Sequence, residues 1–339
     1  SFNGDYTNFV STLYLVCSRK FTKEKEAFEK EEKDLMSGNE NDQELAAMLA
    51  EGHKKFYQFE KIIDNMNNYL SNPTSSNWII DTKDNTLSIR PLKVDWVFKD
   101  YLDKLATEHI YFMSATILDK DDFCYSLGIN PDEALFIREE SSFDPDKSPI
   151  YGVCTCRTDY KSLQDSSNMQ KVAEAVKYIL NIYPDSKGII HTGNMKISRY
   201  LKEHIDSDRL LVRDGEFTNR VIYEKHLKSK DPTVLVSSSI AEGVDLKDDL
   251  SRFQIIVKMP FESLADARVK KLIETRKNWY MGEMWKKMIQ ECGRSTRNEN
   301  DHCDTYVLDA SFWKWYKMAE DKDWFTDQFK KRVRKIGDN

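Results

Sequence analysis

From residue 145 onward, short apolar runs alternate with amphipathic stretches, and this alternation restricts the possible folds more than any other feature of the chain. The runs are IYGVCTC (150–156), KGIIHT (187–192), RLLVR (209–213), TVLVSSS (233–239), FQIIVKM (253–259) and DTYVLD (304–309). Helices fit between most of them, notably at 168–182, 195–205, 217–229 and 281–292. Short apolar strands separated by helices form a parallel sheet covered on both faces, which makes this an α/β chain. Ligands bind such sheets at the carboxyl ends of the strands. Three polar turns are expected there: HTGN, SSSIAEGVD and the segment leading into QECGRSTR.

The amino-terminal part reads differently. Residues 5–71 contain no proline, and Gly38 and Gly52 are the only internal glycines. Two helices are expected, about 6–36 and 40–70, turning at SGNEN (Ser37–Asn41), each a rod of roughly 45 Å. KFTKEKEAFEKEEKDL carries the i,i+4 opposite charges of a solvated helix face, so on its residues alone the pair reads as a coiled-coil-like spacer. SNPTSSN (Ser71–Asn77) has linker composition. Beyond it, NWIID and TLSIRPL read as two short strands about the turn KDN. VDWVFKDYLDKLA reads as an amphipathic helix, and HIYFMSATI as a buried strand running into a small polar turn.

Composition narrows the function classes. The 339 residues leave room for two or three domains, and 40% apolar residues spread along the chain are globular in character. No apolar run approaches the ~18 residues of a membrane span, so no membrane partner is expected. With 51 basic and 57 acidic residues the formal charge is −6, so any nucleic-acid contact must be a local groove. The six cysteines (Cys17, Cys124, Cys154, Cys156, Cys292, Cys303) are scattered, and the C-x-C at 154–156 has no second pair. They read as reduced thiols of an intracellular protein with no metal site. The chain begins at Ser1 rather than Met, so a processed or excised polypeptide with sequence missing upstream is expected.

QECGRSTR (290–297) holds the chemistry. On a helix, Gln290, Gly293, Arg294 and Arg297 fall at i, i+3, i+4 and i+7, one stripe. Glycine inside a helix costs ~1 kcal/mol relative to alanine, which makes sense where a backbone or ligand comes close beside the arginines. Two planar guanidinium forks on one face suit a multiply charged phosphate. The alternative is an exposed basic stripe paired with acids such as Glu291 and Glu299.

Other segments extend the pattern. QECGRSTR resembles motif VI of superfamily 2 helicases, Q-x-x-G-R-x-x-R. SSSIAEGVDLKDD (Ser237–Asp249) resembles motif V of the XPD/DinG-like branch, YFMSATI (Tyr111–Ile117) motif III, and GIIHTGNMKISRYL (Gly188–Leu201) the motif IV strand, turn and helix. KMPFESLAD and NENDHCDTYVLDASF resemble that branch's post-motif-V strand and its closing strand. The motifs stand in family order over roughly residues 76–320. There are departures: the chain has no G-x-x-x-x-G-K-[ST] and no D-E-A-H box, and PDEALF (Pro131–Phe136) is a loop that only imitates one. The turn HTGN also lacks the family's usual serine.

The resemblance implies the carboxyl-terminal half of an XPD/DinG-like DNA helicase, with a RecA-like second motor domain and a helical arch. Residues 1–75 would be part of the arch insertion, 76–118 the end of motor domain 1 with motif III, and 119–339 motor domain 2. ATP and Mg2+ would be bound mainly by an upstream motor domain of the same protein. The cysteines of the iron–sulfur cluster found in many members would also lie upstream. Across the cleft Arg294 and Arg297 would act on the transferring phosphoryl group, and Gln290 would orient the γ-phosphate or attacking water. Glu242, Gly243 and Asp245 would sense nucleotide, with Ser114 and Thr116 coupling it to movement. Thr192, Asn194, Ser238 and Ser239 would touch the backbone of single-stranded DNA, and Trp279, Tyr280 and Trp285 either stack bases or fill core. KKRVRK (Lys330–Lys335) reads as a solvated helix end or a DNA patch. The implied protein is a monomer unwinding 5′ to 3′, inactive as this fragment alone. Its rivals are a non-catalytic nucleic-acid-binding or scaffold module, and a 3′–5′ or RNA helicase.

Overall fold

A computed structural model describes residues 6–37, 43–73, 77–83, 86–105, 107–114, 116–213, 219–238, 246, 248–293, 295–296 and 301–336. The chain divides into two compact units, Ser1–Val94 and Asp95–Asn339.

In the first unit, α1 (Tyr6–Met36) and α2 (Gln43–Ser71) pack antiparallel. Thr7 meets Tyr69 at one end (3.2 Å between hydroxyls), Lys25 pairs with Glu60 (3.1 Å), and Phe28 lies on Phe56 with centroids 5.0 Å apart. Gly52, an apparent helix defect, makes room for a ring of α1: a Cβ there would stand 2.5 Å from the Phe28 ring. Strands β1 (Trp78–Lys83) and β2 (Thr86–Pro91) form an antiparallel pair, as the sequence predicts.

The second unit opens with α3 (Asp95–Leu105) and α4 (Lys120–Leu127). There follow β3 (Ile150–Cys156), α5 (Ser166–Ile182), β4 (Gly188–His191), α6 (Met195–His204), β5 (Leu210–Val212), α7 (Asn219–Lys228) and β6 (Val234–Ser237). The remainder is β7 (Phe253–Ile256), α8 (Ala267–Thr275), α9 (Trp279–Cys292), β8 (Asp304–Asp309), α10 (Phe312–Glu320), α11 (Asp327–Arg332) and β9 (Val333–Arg334). Seven strands form one sheet in the order β5-β6-β4-β7-β8-β3-β9, parallel at every pairing.

Alternation along the strands divides the core. Ile190, Val236, Phe253, Ile255 and Leu308 point to the side of α5 and α6, where Val172, Val176, Ile197 and Leu201 are fully buried. Ile150, Ile256 and Val307 point to the side of α9 and α10, against Met284, Trp285, Met288 and Phe312. The pair Cys154 and Cys156, two apart in β3, faces opposite sides. A register shift after Gly152 and a positive φ of 55° at Cys154 insert the bulge that separates them.

Two expectations need correction. HIYFMSATI is not a buried strand: no described strand lies beside it, and Tyr111 and Met113 are 87% and 94% exposed. A strand needs a ladder partner for its backbone groups, and none of the described residues supplies one. The helix expected to carry the stripe from Gln290 to Arg297 ends sooner: α9 stops at Cys292 with Gly293 as its C-terminal cap, and Arg294 and Arg297 lie outside the described residues.

Candidate nucleotide and nucleic-acid edges

The end of α9 is set by chain topology. A crossover helix between parallel strands must return to the amino end of the next strand, so the end of α9, with Gln290, lies towards the start of β8 rather than at the carboxyl rim. Cys303 N–H donates to Lys147 O (2.9 Å) just before β3, which fixes the loop at the amino-terminal edge of β3 and β8. Gly293 donates to Ile289 O at 3.0 Å, and among the described residues a Cβ on it would meet Ile289 O and Gln290 O within 4 Å. Its close neighbours are therefore the helix's own carbonyls. Glu291 is 3% exposed, so it is no part of a solvated charge stripe. Ser295, Thr296, Asp301 and Cys303 are buried and seat the return loop; Arg294, Arg297 and Glu299 lie outside the described residues.

The S-A-T segment comes to the same place. Gln290 Nε2 donates to Thr116 Oγ1 at 3.4 Å, and Thr116 N–H donates to Ser114 Oγ at 3.2 Å, which folds the two hydroxyl residues together. From Thr116 the chain runs back along α9: Leu118 enters the core with Met284 and Met288, and Asp122 reaches Arg276 just before α9 begins. Arg276 donates to Asp122 Oδ1 (2.9 Å), Asp122 O (3.0 Å) and Ser126 Oγ (2.7 Å), with its guanidinium 5.3 Å from the Tyr125 ring. The segment is thus pinned along α9 at both ends. Sequence reasoning missed Arg276, because nothing local distinguishes it from any exposed cation.

The opposite edge carries HTGN and the start of motif V. Gly193 sits at φ 62°, a left-handed turn that glycine allows, and Asn194 caps α6 by accepting from Lys196 N–H at 2.7 Å. Thr192 is fully buried, its hydroxyl shared with Ser198 (2.7 Å) and Ser237 O (3.1 Å). That removes it as a direct DNA contact; it holds the turn instead. Ser238 points its hydroxyl at Met195 Sδ (2.8 Å), and Ser239, Glu242, Gly243 and Asp245 lie outside the described residues. The stem of Lys258, at the end of β7, lies 3.6 Å from where a Gly193 Cβ would be, and Tyr160 beyond β3 is 79% exposed. Neither was singled out from the sequence, although both follow strand ends. Trp279 and Trp285 are buried at 7% and 0%, and Tyr280 stacks on Phe261 and donates to Glu262 O. The two tryptophans are core, not base platforms.

Downstream of motif V, Leu250 O accepts from His226 Nε2 (2.9 Å), and Thr233 Oγ1 bonds Nδ1 (2.9 Å). A carbonyl only accepts, so Nε2 carries the proton, and burial holds the imidazole pKa below its ordinary value. Among the described residues no group of three His, Cys, Asp or Glu could hold a metal ion, and no helix is long and apolar enough to cross a membrane.

A parallel sheet with helices on both faces and polar turns at its edges is a RecA-like α/β domain, the fold seen in two solved XPD structures. One, titled XPD helicase, aligns with TM-score 0.51 at 18% identity over 87% of this chain and 56% of its own. The other, of apo XPD, gives 0.54 at 18% identity over 87% and 62%. Residues 191–328, from the end of β4 into α11, match the family model described as Helicase C-terminal domain. The ATP-dependent DNA helicase YoaA of Escherichia coli is 27% identical over 194 residues, 56% of this chain and 29% of that protein. The ATP-dependent DNA helicase CHL1 of Debaryomyces hansenii is 25% identical over 154 residues, 40% of this chain and 18% of that protein. Residues 191–328 thus match a helicase carboxyl-terminal domain, the chain is similar to XPD/DinG-like superfamily 2 helicases, and it matches less than a third of the length of either curated relative.

Proposed function

We propose that this chain is the second motor domain, with part of an arch, of an ATP-dependent DNA helicase whose nucleotide is held mainly by another motor domain of the same protein. The observation that carries the reading is the meeting of Thr116 and Gln290, which joins the S-A-T segment to the helix that precedes the arginine pair in sequence. The exposed apolar run Ile110–Met113 supports it too, since a contiguous exposed apolar stretch marks a surface that another part of a protein covers. On this reading residues 1–75 belong to the arch, 76–118 end the first motor domain and 119–339 form the second.

ATP and Mg2+ would be held mainly by the neighbouring motor domain, facing the amino-terminal edge of this sheet. Arg294 and Arg297 reach over that gap to stabilise charge on the phosphoryl group, an effect typically worth ~10³–10⁵ in rate. Gln290 orients the attacking water or γ-phosphate. Ser114 and Thr116 report the state of that site, and Glu242, Gly243 and Asp245 link it to the nucleic-acid edge. Single-stranded DNA crosses the carboxyl edge, where Asn194, Ser238 and Ser239 contact phosphates, contacts that need no net basic charge. Unwinding runs 5′ to 3′.

The test is turnover. ATP hydrolysis stimulated by single-stranded DNA is expected from a polypeptide joining this chain to a P-loop motor domain, and none from this chain alone. Turnover by the purified chain alone would refute the division of labour, and displacement of 3′-tailed rather than 5′-tailed duplexes would reverse the polarity.

A further inference from the structure

In the basic run KKRVRK, Lys331 and Lys335 are exposed and the others half-buried. Lys330 pairs with Asp327 (3.2 Å), Arg334 with Asp146, and Lys335 lies over the Trp313 ring. Arg332 departs from this. Its Nε donates to Ser148 O at 2.8 Å and its Nη2 to Cys292 O at 3.1 Å, with the guanidinium 5.7 Å from the Phe329 ring. Among the described residues it has no carboxylate partner, and main-chain carbonyls take its hydrogen bonds.

The acceptors explain why a cation is there. Cys292 is the last residue of α9, and the unsatisfied carbonyls at a helix carboxyl end carry partial negative charge. The planar fork fixes direction as well as distance, which a flexible ammonium would not. Ser148 leads into β3, so one guanidinium ties the end of α9 to the sheet's amino-terminal edge immediately before Gly293 and Arg294. For packing alone an apolar side chain would serve as well or better, because desolvating a charge is costly.

We propose that Arg332 is a positioning residue for phosphoryl transfer: it holds the terminal carbonyl of α9, and with it the last helical turn that carries Gln290, in one place at the sheet's amino-terminal edge. The proposal rests on the motor reading above and adds to it a residue outside all the recognised motifs.

The experiment compares Arg332→Gln, Arg332→Lys and the surface control Arg334→Gln in a polypeptide joining this chain to a P-loop motor domain. Arg332→Gln is expected to lower kcat for DNA-stimulated ATP hydrolysis by roughly 10- to 100-fold, as small misplacements of catalytic groups do, with KM for ATP and affinity for single-stranded DNA unchanged. Arg332→Lys should recover part of kcat, and Arg334→Gln should match the parent. An unchanged kcat in Arg332→Gln, or an equal loss in Arg334→Gln, overturns the proposal. A parent without DNA-stimulated hydrolysis refutes the motor reading instead. Hydrogen exchange on this chain alone then decides the positioning claim: Arg332→Gln must speed exchange at residues 290–293 while leaving β4 and β7 unchanged, and uniform or unchanged exchange overturns it.

Discussion

Gln290 and Thr116, 174 positions apart, are joined by a hydrogen bond of 3.4 Å. The bond is long and weak by itself. Its value lies in what it reports: the linker after the S-A-T segment is laid antiparallel along α9, so movement of one must be felt by the other.

The arginine pair yields the sharpest functional prediction. With Arg297→Ala in a polypeptide that also carries the P-loop domain, DNA-stimulated ATP turnover should fall by ~10³ or more while single-stranded DNA binding persists. Steady-state hydrolysis and fluorescence anisotropy measure the two. Normal turnover would remove Arg297 from the finger role.

Arg276 anchors the other end of the same brace. Its side chain is 9% exposed and that of Asp122 16%, so Arg276→Ala strands a carboxylate with little water around it. Urea unfolding of the second unit should show a loss of about 3 kcal/mol, with a smaller loss for Asp122→Asn, which leaves no uncompensated acid. Equal losses would show that packing, not the charge pair, dominates.

Gly188 is constrained by sterics. A Cβ there would stand 2.5 Å from the Phe253 ring, which is fully buried and stacked on Tyr183 with centroids 4.7 Å apart. The ring has no room to retreat, so Gly188→Ala should destabilise the sheet by roughly 1–3 kcal/mol, seen as a lower Tm. An unchanged Tm would mean that β4 shifts freely.

Alkaline pH should unfold the domain before it denatures the arch-like helices. Burial pushes the thiols of Cys292 and Cys303 up to about 12, and likewise the phenols of Tyr306 and Tyr316. These groups hold protons more tightly folded than unfolded. Their contribution is whole below the unfolded values of 9.0 for the thiols and 10.0 for the phenols, and is lost as pH rises towards about 12. Urea midpoints should therefore decline once pH exceeds the thiol value, with a later onset in Cys292→Ala. Midpoints that stay level up to the folded values would contradict this.

Much of the fold could be read locally. The runs at 150–156 and 304–309 became β3 and β8 with those bounds, and 6–36 became α1, because apolar periodicity and the absence of breakers are properties of the segment itself. The KDN-centred pair became β1 and β2 for the same reason. HIYFMSATI was misread because a strand is defined by its neighbours, and composition does not say whether they are present. Trp279 and Trp285 were ambiguous because the same rings suit a core or a base stack, and only burial separates these uses.

The sequence by itself determined the class of chain: a parallel α/β sheet, an all-helical pair before it, and the ordered motifs that mark a helicase carboxyl-terminal region. Those signals are periodic or contiguous, so they survive without coordinates. Tertiary structure alone decided the edges, sending Gln290 and the end of α9 to the amino-terminal edge and HTGN to the carboxyl edge. It also turned Thr192 inward and brought Arg276 and Arg332 to the two ends of α9. Such placements depend on the direction of crossovers and on side chains reaching between elements far apart in the chain, and no local pattern records either.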